Sequence, residues 1–155
     1  MAPAYEETFW NQRNMSYIDE EDKKAGGCVI LAAVEDFIFL SKIRQTAQLA
    51  GVEIETVDPR QVRDRLSDPS VRAVIFDLNH RSGSAVEVIR SLKSGGAANN
   101  IRLVGFLSHV QGDLAAAARE AGCDMVMARS AFSQQLPQLL RQLAGENEQL
   151  RSDGA

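Results

Sequence analysis

Five short runs of strand-like residues recur along the chain, and a stretch with helical spacing follows each of them. Val29 to Val34 is a continuous apolar run, suited to a strand buried on both faces. Val52 to Val57 alternates in the manner of a half-exposed strand. Ala73 to Phe76, Leu103 to Leu107 and Met125 to Ala128 are the third, fourth and fifth runs. Between them, Phe37 to Ala50 sets Leu40, Ile43 and Ala47 on one stripe, with Gly51 as a C-terminal stop. Asp58-Pro59 is a cap followed by Pro at the first turn, predicting a helix to about Leu66. Ser84 to Lys93 is a third helix, with Ser84 and Glu87 spaced as a capping box and Gly95-Gly96 at its end. Asp113 to Ala121 is a fourth, stopped by Gly122. The last starts near Ser133 to Pro137 and carries Leu136, Leu139, Leu140 and Leu143. Connections this short leave room only for crossovers, which predicts a parallel sheet covered on both faces.

Five such units suggest the flavodoxin-like doubly wound fold, an α/β domain with a five-stranded parallel sheet, five helices and the strand order 2-1-3-4-5 usual for it. A length of 155 residues suits one core of this size. At 45% hydrophobic and 25% charged, the composition is that of a globular domain and not of a disordered chain. The expected organisation is an acidic arm over residues 1–26, a domain over 27–144 and a polar tail over 145–155. The arm holds six acids and three bases, and the tail three acids and one base. The formal net charge of −4 therefore resides in the ends, and the core is close to +1. Neither value favours nonspecific nucleic-acid binding. The apolar run at Cys28 to Val34 is far short of the roughly twenty residues needed to span a bilayer. Cys28 and Cys123 make no disulfide framework, and the expected location is the cytoplasm.

In an open α/β sheet, ligands bind beyond the carboxyl ends of the strands, where the strand order reverses. Here the first strand ends in Glu35-Asp36 and the third in Asp77, followed by Leu78-Asn79-His80. Any one such acid is ordinarily a loop or cap residue, but three at a switch point would crowd together. Converging carboxylates raise one another's pKa unless a cation is present, and a hard divalent cation such as Mg²⁺ resolves the conflict. A carboxylate beside Mg²⁺ can also accept a phosphoryl group. No G-x-G-x-x-G or Walker A pattern occurs. Asp77, His80 and Gly83 approach the Asp-x-His-x-x-Gly pattern of cobalamin domains, with the His one place late. His80 and His109 are expected as solvated loop residues, and Ser108-His109 has no third catalytic member. Arg60, Arg63 and Arg65 cluster on the second helix as a solvated face or a contact for an acidic partner.

The acidic pair after an apolar strand, Asp77 closing the third strand and Asn79 two places later resemble response-regulator receiver domains, from about Gly27 to Leu143. The resemblance implies that Glu35, Asp36, Asp77 and the carbonyl of Asn79 bind Mg²⁺, and that Asp77 takes phosphate from a histidine kinase. The spacing from Gly122 to Arg129 matches the segment leading to that family's Lys. Several positions depart from the pattern. Arg129 stands where the family has Lys, and a planar guanidinium fork does not replace a compact ammonium. Ser130 replaces the usual Pro. The switch hydroxyl falls at Leu107, with Ser108 one residue late, and its aromatic partner falls at Val126. The loop from Asp77 to Gly83 is about two residues short. The chain thus resembles an atypical receiver that accepts a phosphoryl group at Asp77 and acts through protein contact. It is expected to have no turnover on an external substrate. Arg129 is expected to pair with Asp77 or with the phosphoryl oxygens. The partners implied are a histidine kinase or another signalling protein, and a second copy through the region 113–143. The alternatives are a phosphorylation-independent pseudo-receiver and a cofactor-binding flavodoxin-like domain.

Overall fold

The computed structural model describes residues 27–108 and 111–146. The expected arm over 1–26, His109 and most of the expected tail lie outside them. Val29–Ala33 forms the first strand (β1), and all five of its side chains are buried. Alternate residues of a strand point to opposite faces. Val29, Leu31 and Ala33 accordingly enter one apolar cluster, while Ile30 and Ala32 enter another. In β3, Val71–Asp77, the same division holds from Ala73 onward, where Val74 and Phe76 join the first cluster and Ala73 and Ile75 the second; the register shifts before Ala73, and Val71 lies with the first. The remaining strands are β2, Glu53–Thr56, β4, Arg102–Leu107, and β5, Met125–Ala128. All neighbours are parallel, in the order β2-β1-β3-β4-β5. The expected flavodoxin-like sheet is present, with β2 and β5 as its edges.

Among the described residues five α-helices cover it: α1 Phe37–Ala50, α2 Val62–Arg65, α3 Ala85–Ser94, α4 Gly112–Ala121 and α5 Arg129–Arg141. Helices α1 and α5 bury Phe39, Leu40, Ile43, Phe132, Leu136 and Leu140 on one face of the sheet. Helices α3 and α4 bury Ala85, Ile89, Leu92, Ala115 and Ala118 on the other. Each large side chain buried in this way contributes about 1.5–3 kcal/mol relative to leaving it exposed. Phe39, Phe106 and Phe132 meet as an aromatic trio with centroids 5.0–5.8 Å apart, which ties both helices to β4. Helix α1 stops at Gly51, whose φ of 74° suits a residue without Cβ.

Three boundaries differ from the sequence expectation. Helix α5 begins at Arg129, four residues before Ser133, and Pro137 lies inside it. Its apolar stripe runs back to Phe132, and burying that ring outweighs the missing proline N–H. Ser84 precedes α3 but makes no side-chain cap. Its hydroxyl bonds instead to Ser82 Oγ at 2.8 Å, so the capping box with Glu87 does not form. The Asp58-Pro59 signal opens a 3-10 turn, Pro59–Gln61, with a complete Asp58–Gln61 capping box, and only then α2. After α5 a short π-type turn, Gln142–Glu146, reaches Gly145 at φ 118°, where the polar tail was expected to begin.

Candidate functional site at the carboxyl edge of the sheet

Strand β1 runs out at Ala33, and the chain turns through Glu35 and Asp36 into α1. Asp36 is the N-cap of that helix. Its Oδ1 accepts from the backbone N–H of Ile38 (2.9 Å) and Phe39 (3.1 Å), two donors that the helix itself cannot satisfy. Its Oδ2 accepts from the Arg129 guanidinium at 2.8 Å. The Arg129 bond, aided by the two N–H groups, holds the Asp36 carboxyl below the usual carboxylate range. Glu35 turns the other way. Its Oε1 accepts from the Arg81 backbone N–H at 3.0 Å, and its Oε2 lies 4.0 Å from His80 Nε2.

Asp77 closes β3 and is 8% exposed. Its Oδ1 accepts from the Asn79 backbone N–H at 2.9 Å, a local turn that fixes the carboxylate over its own chain. Burial pushes the Asp77 carboxyl above its ordinary value; the Asn79 N–H and the nearby His80 and Arg129 act against that rise, and Glu35 adds to it. The side chain of Asn79 bridges two segments. Its Oδ1 accepts from the Ser108 backbone N–H at 2.7 Å, and its Nδ2 donates to Gln111 Oε1 at 2.8 Å. Asn79 therefore staples the end of β4 and the start of α4 to the loop carrying Asp77.

Arg129 is the first residue of α5, reached directly from β5 through Ala128. Besides its bond to Asp36, its guanidinium carbon lies 4.1 Å from the centroid of the Phe39 ring, a cation–π contact. A depression of about 490 Å³ opens beside it, lined by residues that include Phe39, Lys42, Ser108 and Ser130. The Lys42 ammonium there donates to Ser133 Oγ. A larger depression of about 740 Å³ lies at the opposite edge of the sheet, among Arg72, Asn100 and Arg102, away from these acids.

The structure thus gathers Glu35, Asp36, Asp77, Asn79, Ser108 and Arg129 at one edge. Their pairing differs from expectation in two respects. Arg129 pairs with Asp36 and not with Asp77, because the N-cap carboxylate faces the start of α5 directly. His80 is buried, not solvated, and its Nδ1 makes a 2.9 Å contact with Ser82 Oγ. Sequence reasoning missed the roles of Phe39, Ser82 and Gln111. Phe39 follows Asp36 by three residues, one helical turn, which was the available signal; Gln111 had none. Among the described residues, no three His, Cys, Asp or Glu side chains are grouped so as to hold a metal ion. At Asp36 the implied Mg²⁺ site meets a guanidinium, since Arg129 occupies Oδ2 and two backbone N–H groups occupy Oδ1; Asp77 and Glu35 each have one oxygen on a backbone N–H.

A parallel five-stranded sheet of this order, with helices on both faces, defines a flavodoxin-like α/β domain. No family model and no curated protein matches the sequence. Solved structures do match. A response regulator from Hahella chejuensis is 17% identical, with 76% of this chain and 95% of that one aligned and a TM-score of 0.66. One from Thermotoga maritima is 12% identical over 77% and 98%, with a TM-score of 0.63. A response regulator from Burkholderia pseudomallei, solved with a phosphorylated aspartic acid, calcium ion and citrate, is 14% identical over 80% and 72%, with a TM-score of 0.62. The described residues have the receiver-domain fold.

Proposed function

We propose that this chain is a receiver-type signalling module that works through protein contact, without a phosphorylation-driven switch. The observation that carries this reading is the Asn79 staple. A switch of that kind needs a hydroxyl at the end of β4 on a backbone free to move toward the group added at Asp77. Here the backbone at Ser108, the nearest hydroxyl residue, is tied through its N–H to Asn79 Oδ1. The preceding position is the buried, apolar Leu107, and Val126 offers β5 no ring to relay a movement. The β4–α4 junction is held by the protein's own amide. The partner would be a histidine kinase or another signalling protein, or a second copy seated on α4, β5 and α5, the region 113–143. One similar fold, the beryllofluoride-activated NtrC4 receiver domain, is a dimer. Among the described residues no helix is long and apolar enough to cross a membrane.

A second reading keeps Mg²⁺-dependent phosphoryl acceptance at Asp77. It is favoured by the placement of Asp77 as the last residue of the central strand, at the switch point of the sheet. One experiment separates the two. The protein is incubated with acetyl phosphate and Mg²⁺ and its intact mass is measured beside that of Asp77→Asn. The contact reading requires no phosphoryl adduct on either. An adduct on the wild type that Asp77→Asn lacks would overturn it.

A further inference from the structure

Three carboxylates at one sheet edge need positive charge from somewhere, and the bonds around them show its source. Asp36 has neither oxygen uncommitted. Oδ1 serves two backbone N–H groups of α1, and Oδ2 serves the Arg129 guanidinium. The Arg129 guanidinium is held from two sides, by Asp36 and by the face of Phe39, on a residue that opens α5. Phe39 is itself locked against Phe106 and Phe132. Mg²⁺ demands near-octahedral oxygen ligands at roughly 2.0–2.1 Å and gives up water reluctantly. To bind at Asp36 it would have to displace a guanidinium and then sit beside that same charge. Glu35 is turned away from Asp36, its Oε1 bonded to the Arg81 N–H and its Oε2 4.0 Å from His80 Nε2.

We infer that Arg129 is the resident cation of this pocket: its guanidinium takes the place of a divalent metal at Asp36 and excludes one. The identity of the residue is part of the inference. A guanidinium is planar, weakly hydrated and always charged, and it can stack on a ring while donating to a carboxylate; an ammonium does this poorly. The pair has a second consequence. It joins the cap of α1 to the first residue of α5, so the two helices on that face start from one ion pair. The inference goes beyond the proposed function, because a module that signals by contact could still bind a metal.

Mn²⁺, a paramagnetic stand-in for Mg²⁺, tests it. Amide signals of the full chain are followed by NMR during titration of wild type, Arg129→Ala and Arg129→Gln, with folding of each checked by circular dichroism. Wild type should show no saturable broadening at Glu35, Asp36 and Asp77. The variants should gain saturable broadening there, with at least a tenfold increase in apparent affinity. Saturable broadening in the wild type overturns the inference, and so does its absence in a folded variant. If Arg129→Ala does not fold, Arg129→Gln and the wild-type titration decide alone. Failure here is distinguishable from failure of the contact reading, which is judged by the phosphoryl adduct at Asp77 and not by metal.

Discussion

Replacing Asn79 with Ala removes the staple between the Asp77 loop and the β4–α4 junction. The hydrogen bonds at 2.7 Å to the Ser108 N–H and at 2.8 Å to Gln111 Oε1 disappear. The Gln111 bond is exposed, and water replaces it at little cost. The Ser108 N–H is half-buried, and its loss lies between a simple hydrogen bond and a stranded donor. Together they should cost about 1–2 kcal/mol. For a domain of this size that lowers the urea midpoint by roughly 0.5–1 M at an unchanged slope. Hydrogen exchange at the Ser108 amide should accelerate more than exchange in β1, where the opening would be global. Asn79→Asp retains an acceptor for Ser108 while replacing the donor to Gln111 with a charged acceptor beside Asp77, so Ser108 exchange should be slower than in Asn79→Ala. An Asn79→Ala midpoint equal to wild type, with Ser108 exchange unmoved, would show that the junction is not held by this side chain.

Other outcomes follow from the same geometry. Gly105→Ala would place a Cβ 2.9 Å from Leu78 Cδ1 and 3.0 Å from its Cγ, so it should destabilise by about 1–3 kcal/mol in urea melts and shift the Asn79 amide signal. Phe132→Ala removes a fully buried ring from the aromatic trio and should cost about 3–5 kcal/mol, also read by denaturation. The two site aspartates should titrate in opposite senses by carboxyl NMR, Asp36 below its ordinary value and Asp77 above it. For Asp36 the folded value is depressed, so its stabilising effect is present at neutral pH and is lost as pH falls through that folded value. For Asp77 the folded value is raised, so ionisation opposes folding as pH rises above the unfolded value, and Asp77→Asn should melt no lower than wild type at neutral pH. An Asp77 that titrates below Asp36 would contradict the burial argument.

The fold was legible because its signals are local and repeated. Continuous apolar runs marked the buried strands, and Gly51 and Gly122 marked helix ends that the structure shows at φ 74° and 109°. The start of α5 was not legible, because Pro137 carries a stronger local start signal than Ala128, which caps nothing. At the site, the sequence brought Glu35, Asp36 and Asp77 to the correct edge, since strand ends and topology settle that much. It could not show which carboxylate Arg129 would reach. That depends on how α1 and α5 lie side by side, a distance of 93 residues along the chain. Burial of His80 was hidden because it depends on how its loop turns, which sets Nδ1 against Ser82 two residues on and Nε2 toward Glu35 of the β1–α1 turn.

The most direct measurement is an amide NMR comparison of the full chain before and after addition of Mg²⁺ and beryllofluoride together. If Arg129 fills the pocket and Asn79 holds the junction, the signals of Asp36, Asn79, Ser108 and Arg129 and those along α4, β5 and α5 should remain in place. Saturable shifts at Asp77 and Ser108 that spread into α4 and β5 would contradict both the resident-cation assignment and the contact-driven reading.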